Sequence, residues 1–378
     1  MKYCLHQRIN WLIATTKSAR ILIAGASLSA MLGFTAAANA ADYKLTTVAE
    51  NLNFPWSIAF LPNGEKLIVE LAGNLRRLSL DNVLGEPISG VPEVFRAAQG
   101  GLFDVVLHPQ FSQNQWLYLS YAAGTMKSNS TTVVRARLVD NSLQDLQVLF
   151  SAAPNKYAPL HYGGRLAWLA DGTLLLTIGD GFDFREKAQD LKTHFGKTIR
   201  MNDDGTPAAD NPFPKAPYVW TYGHRNPQGL TVSLDGRVYQ HEHGPQGGDE
   251  VNLLAAAKNY GWPAITYGID YNGAYVSPFT EHPSMEQPEH VWVPSIAPSG
   301  LMIYEGSMFP EWSGDLFVGA LVDQEVRKLD VENGKIVSEE ALFSELEARI
   351  RDIRQAPDGS IYVITDGAEG KVVQVTRP

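Results

Sequence analysis

RLAWLADGTLLLTI, residues 165–178, is an apolar run, an Asp-Gly turn and a second apolar run, and this plan decides the fold because it returns along the chain. It recurs as IAFLPNGEKLIVEL (58–71), LTVSLDGRVYQHE (230–242) and DIRQAPDGSIYVIT (352–365). Two relatives carry longer turns, FDVVLHPQFSQNQWLYLSY (103–121) and LMIYEGSMFPEWSGDLFVGAL (301–321). Asn-Gly or Asp-Gly between alternating runs is a strong hairpin signal, since both turn residues tolerate positive φ. Six hairpin centres over residues 41–378 give about 56 residues per unit, room for four short strands, and periods of this size indicate a propeller. The reading is therefore all-β: one six-bladed β-propeller of four-stranded antiparallel blades, closed into a ring so that few edges stay exposed. A pair of β-sandwiches and a β-helix are the competing architectures. Helix is expected only at Ser338–Leu346 and around Ala256.

Residues 1–40 hold Lys2, Arg8, Lys17 and Arg20 without an acid, then an apolar run from Ile21 to Phe34, then Ala38-Asn39-Ala40. This pattern predicts an export signal cleaved after Ala40 and a periplasmic mature protein. An uncleaved anchor is the rival, but the apolar run falls short of the roughly 20 residues a span needs. No later segment is long and apolar enough to cross a bilayer. The chain has 31 basic and 41 acidic residues; without the four basic residues of the signal the balance is 27 to 41. A mature chain this acidic does not favour nucleic acid or anionic lipid. Its single cysteine, Cys4, lies in the signal, so no disulfide is expected in the exported protein.

A ring of blades places ligands at a channel mouth, on loops flanking the hairpins. The unusual residues fall there: QGG at Gln99, HYGGR at His161, GDGFDF at Gly179, GHRNPQG at Gly223, HGPQGGDE at His243, PSIAPSG at Pro294 and ARIRD at Ala348. His161 precedes a strand at the rim, and an imidazole there can take a proton from a hydroxyl. A hydrogen-bonded structural histidine is the plainer alternative. Arg225 and Asn226 precede Pro227, which keeps them extended; they offer donors to a carbonyl or carboxylate, or brace two blades. Gly244 and Pro245 form a turn whose carbonyls suit a hard cation such as calcium, with Asp249 and Glu250 nearby, unless the segment is a solvated acidic turn. His241 and His243 lie on one strand face, but two ligands make a weak zinc site. Arg349 and Arg351, two apart, point one way on a strand and suit a polycarboxylate, or a salt-bridged blade edge.

Read together, QGGLFDVVLHP from Gln99, HYGGRL from His161, YGHRNPQG from Tyr222, HGPQGGDEVN from His243, NYGWP from Asn259 and RIRDIRQAPDG from Arg349 resemble the soluble PQQ-dependent sugar dehydrogenases of the glucose/sorbosone dehydrogenase family, and especially their bacterial aldose sugar dehydrogenase branch. The likeness runs across nearly all of the mature chain. It implies a pyrroloquinoline quinone (PQQ) and calcium over the channel mouth, an aldose sugar oxidised at its anomeric carbon to a lactone, and a separate electron acceptor. By the resemblance His161 is the general base and Arg225 polarises the quinone oxygen. Gln99, Arg225, Asn226, Ser295, Arg349 and Arg351 hold the cofactor. The carbonyls of Gly244 and Pro245 bind its calcium, and Glu250 with the Tyr260 carbonyl forms a second, structural calcium site. The sequence departs from the family at Val322, where a cofactor-contacting lysine is usual, at Leu160 before the base, and at Arg185. A non-catalytic sugar- or partner-binding propeller and a calcium-dependent lactonase are the other functional expectations.

Overall fold

A computed structural model describes residues 42–378; the expected export signal lies outside the described residues. The six hairpins read from sequence are the first two strands of six four-stranded antiparallel blades. Their innermost strands are Pro55–Phe60, Leu102–Leu107, Leu166–Trp168, Pro227–Val232, Pro298–Ile303 and Ile350–Gln355, numbered here as blades 1 to 6. Blades 1 to 5 are built from consecutive strands. Blade 6 takes its outermost strand from the other end of the described chain, where Lys44–Leu52 pairs antiparallel with Gly370–Thr376.

Apolar faces of neighbouring blades pack on one another, giving one buried cluster at each of the six junctions, the junction of blade 6 with blade 1 included. That is why the second strands, such as Leu174–Ile178, Leu316–Ala320 and Ile361–Thr365, read as nearly continuous apolar runs: each is buried along its whole length. At the channel centre Arg165 Nη1 meets Asp352 Oδ1 at 2.9 Å, Arg354 bridges Asp352 and Asp104, and Arg165 lies 4.0 Å from the Trp56 ring centroid. Two cations and two anions thus plug the axis, a buried set tolerable only because each charge is paired.

The Asp-Gly turns differ from expectation in one respect. Only the glycine takes positive φ, as at Gly64, Gly172, Gly236 and Gly359. In each, the residue three before the glycine accepts the glycine N–H and donates to the residue after it, as in Gly172 N to Leu169 O and Leu169 N to Thr173 O. This is a type I turn followed by a left-handed bulge residue. The Asn or Asp is chosen for its side chain instead: Asn63, Asp171, Asp235 and Asp358 each accept the N–H two residues on.

Both expected helices are absent. Lys335–Leu342 is an outer strand paired with Val326–Glu332, followed by a single 3₁₀ turn at Ser344–Leu346. Cross-strand pairing overrides the helical preference of its Glu and Ala residues. The Ala256 segment is a turn, with Ala257 at φ +68° donating to Trp220 O. A four-residue helix at Phe111–Asn114, inside the long hairpin turn of blade 2, was not expected. Among the described residues no helix is long and apolar enough to cross a membrane.

Candidate active site

Loops that lead into the inner strands, and loops joining the second and third strands of each blade, meet at one mouth of the channel. The loop before Leu166–Trp168 carries His161, which is buried and held at φ +50°. Its N–H donates to Gln99 Oε1 at 2.7 Å, from the loop before the inner strand of blade 2. Its Nδ1 lies 2.7 Å from Asp180 Oδ1. Asp180 follows directly from the buried strand Leu174–Ile178 and accepts two more hydrogen bonds, from Phe182 N and Trp262 Nε1, both at 2.8 Å. Gly179 before it has no alternative: a Cβ there would sit 2.3 Å from the His161 carbonyl oxygen. With the carboxylate ionised, Nδ1 carries the proton and Nε2 is left as the basic nitrogen.

Burial pushes the His161 pKa below the ordinary imidazole value; Asp180 opposes this, while Arg225 and Lys156 reinforce it. The neutral, proton-accepting ring is therefore the resting form at neutral pH. Asp180 and Trp262 were not singled out by the sequence reading. The signal was present as a lone acid between glycines at the end of an unbroken apolar strand.

Arg225 arrives on the loop before Pro227–Val232, and its backbone carbonyl accepts Asp180 N at 2.7 Å, so base and arginine are tied through one peptide link. Its Nη1 donates to the carbonyls of Gly244 and His243 at 2.6 and 3.1 Å, and its Nη2 to Tyr271 Oη at 3.2 Å. His161 and Arg225 line the same pocket of about 300 Å³, together with Asp180, Phe182, Arg185, Trp262 and Tyr271. Arg185 reaches across its rim to Asp270 at 2.9 Å.

A second cavity of about 440 Å³ adjoins it. Gln99, Asn226, Val322, Arg349 and Arg351 all line it, with Arg96 and Asp366. Arg349 and Arg351 do share a side, and both bond Asp366, at 3.1 and 3.0–3.1 Å. Three guanidiniums against one carboxylate leave this cavity positive in a chain that is acidic as a whole. Val322 stands at its rim, 56% exposed. Ser295 does not reach that cavity; it lines a neighbouring hollow with Gly244 and Pro245, its hydroxyl bonded to Asp249 Oδ2.

The residues fit an acidic, flat cofactor and hard cations in different degrees. The positive cavity suits a polycarboxylate. Among the described residues no three His, Cys, Asp or Glu side chains converge, so a cation must use carbonyl oxygens as well. The Pro245 carbonyl accepts no hydrogen bond among the described residues, whereas that of Gly244 is held by Arg225 and must share or exchange that contact. Glu250 and Tyr260 line one small pocket, and with them is a residue the sequence reading passed over, Glu242, the cross-strand partner of Glu250. Burial raises the pKa of both carboxyl groups, and the charge of Glu242 raises that of Glu250 further. A buried and a partly buried carboxylate, paired beside a carbonyl, form a donor set for calcium.

Fold and site define a propeller of the dehydrogenase type. The chain belongs to the Glucose / Sorbosone dehydrogenase family, whose model matches residues 52–374. It is 44% identical over 362 residues to the uncharacterized protein slr1608 of Synechocystis, covering 89% of this chain and 87% of that protein. The structure of the soluble aldose sugar dehydrogenase of Escherichia coli in its apo-form superposes with a TM-score of 0.86 at 37% identity, covering 89% of this chain and all of that one (100%). The PQQ-bound aldose sugar dehydrogenase of Streptomyces coelicolor superposes with a TM-score of 0.75 at 25% identity, covering 89% and 99% of the two chains.

Proposed function

We propose that the protein is an exported, periplasmic dehydrogenase that uses PQQ and calcium to oxidise aldose sugars at the anomeric carbon to lactones, delivering electrons to a separate acceptor. The observation that carries this reading is that His161 and Arg225 line one sugar-sized pocket beside a cavity of net positive charge. A PQQ-bound relative of the same fold supports the choice of cofactor. When bound, the quinone supplies a hydride acceptor and calcium the charge that polarises it.

Everything else falls to the chain. His161 Nε2 takes the proton of the anomeric hydroxyl, and Asp180 holds the ring in the required tautomer and balances the imidazolium that results. Arg225 places a fixed positive charge where oxygen gains negative charge in the pocket, with no reorganisation needed as the reaction proceeds. Its guanidinium carbon lies 5.3 Å from the Trp262 ring centroid, and that indole is fixed by Asp180, so base and cation share one support. Gln99, Asn226, Arg349 and Arg351 would hold PQQ; Gly244 and Pro245 would hold its calcium; Glu250, Tyr260 and Glu242 would hold the second ion.

The test is reconstitution. Purified mature chain is given PQQ and calcium, and reduction of an artificial dye is followed over a panel of aldoses; absence of turnover together with absence of PQQ binding rejects the proposal. In the same preparation calcium alone is expected to raise the melting temperature by about 3–4 °C, the shift for roughly 2–3 kcal/mol of linkage in a chain of this size. Glu250→Gln should abolish the part owed to the second site, as read by calorimetry with and without chelator.

Val322→Lys restores the cation that the resemblance leads one to expect. Because the position is exposed, the gain belongs at the low end for a charge-assisted contact, about 1 kcal/mol or roughly fivefold in PQQ affinity by calorimetric titration. Unchanged affinity would mean that Arg96, Arg349 and Arg351 already satisfy the cofactor's charge.

A further inference from the structure

We propose that Lys156 is a positioning residue for His161: its ammonium clamps the loop that carries the imidazole and keeps a positive charge against the ring. The inference rests on the reading of His161 as the base. Lys156 is almost wholly buried, 4% exposed, and among the described residues it has no carboxylate within ion-pair distance. A buried cation without an anion is costly, and an apolar side chain would fill the space without that cost. What the ammonium touches is the backbone leading to the base. Nζ donates to the carbonyls of Ala158 and Leu160 at 2.5 and 2.6 Å, and stands 3.5 Å from the centroid of the Tyr162 ring.

The loop is gripped alternately from two sides. The carbonyls of Ala158 and Leu160 go to Lys156, while the carbonyl of Pro159 accepts Gln99 N and the N–H of His161 donates to Gln99 Oε1. Beyond the base, Tyr162 Oη donates to Asn129 Oδ1 at 2.7 Å, and Asn129 exchanges two backbone hydrogen bonds of 2.8 Å with Lys156 itself. The clamp is thus closed on both flanks of His161, whose left-handed φ is a conformation that other residues hold only when their surroundings enforce it.

The charged groups acting on His161 are Asp180 at Nδ1, and Arg225 and Lys156 on the positive side; His243 is itself kept neutral by burial, and Phe182 meets the ring edge-on at 5.0 Å. Burial lowers the Lys156 pKa to about 7, with Asp180 and Asp183 resisting. Burial holds the His161 pKa below its ordinary 6.5, so the imidazole takes its proton on the acid side of Lys156, where the ammonium predominates. Removing that charge favours imidazolium, and the His161 pKa rises.

The experiment compares Lys156→Met and Lys156→Arg with the parent in two measurements. The first is NMR titration of the His161 imidazole in the full mature chain without cofactor, the resonance assigned by its loss in His161→Ala. Lys156→Met is expected to move the titration up by about half to one pH unit, and Lys156→Arg to leave it in place. The second is kcat and kcat/KM against pH in protein reconstituted with PQQ and calcium. There Lys156→Met should lower kcat about tenfold with sugar KM little changed and shift the acid limb upward by the same interval, and Lys156→Arg should recover the limb. A folded Lys156→Met protein whose His161 titrates as in the parent overturns the proposal. Should that variant fail to fold, Lys156→Gln, neutral but still a donor to the loop carbonyls, is held to the same two outcomes. Failure of the underlying reading looks different: His161→Ala would retain turnover, whatever the titration of the imidazole.

Discussion

His161→Ala is expected to lower kcat on aldoses by 10²–10⁴-fold, roughly the span that a positioned general base supplies. PQQ and calcium binding should stay close to the parent values, since the imidazole lines the smaller pocket and not the arginine-lined cavity. Steady-state dye reduction with calorimetric titration of cofactor separates the two. The pH profile adds a sign that can be checked. The base works when neutral, and burial holds its pKa below 6.5, so kcat/KM should stay level as pH falls through 6.5 and decline only further into acid. A limb at or above 6.5 would place the reactive imidazole in water rather than in this pocket.

Arg225→Met should cost about 10²–10³-fold in kcat, or roughly 3–4 kcal/mol of transition-state stabilisation, the range found when one preorganised donor to a developing oxyanion is removed. PQQ affinity should fall as well. A second consequence is independent of the rate: Arg225 is one of the groups that depress the His161 pKa, so its removal should raise the acid limb. Arg225→Lys separates charge from shape. It should restore the limb and little of the rate, because an ammonium cannot reach the Gly244 and His243 carbonyls while also presenting a planar edge to the pocket. Equal recovery of both would show that only the net charge matters at this position.

How far the residues disclosed this arrangement varies with the kind of force involved. The hairpins were legible because turn chemistry and strand alternation are local, and all six turned out to open a blade. The turn conformation was not, since an Asp before Gly serves equally as a left-handed residue or as an acceptor for the N–H two residues on. Helix propensity misled at Ser338–Leu346, where the deciding partner, Val326–Glu332, is a strand whose own pairing the local pattern does not announce. His161 and Arg225 were found from loop position, yet Asp180, which orients the one and bonds the backbone of the other, was missed. Its contacts with the base and the indole come from residues 19 and 82 positions away. Glu242 was hidden for the same reason: its importance lies in facing Glu250 across two strands.

Blade 6 is a composite, stitched from Lys44–Leu52 and the last three strands of the chain. Arg349, Arg351 and Asp366 stand on that blade, so the charged wall of the larger cavity is locked into a closed ring once the first described strand has found the last. Such a pairing spans nearly the whole described chain and is among the slowest contacts a polypeptide can form. Uptake of an acidic ligand by that cavity therefore doubles as a gauge of ring integrity. A molecule nicked or frayed at either terminus would lose its grip on the cofactor before it lost the other five blades.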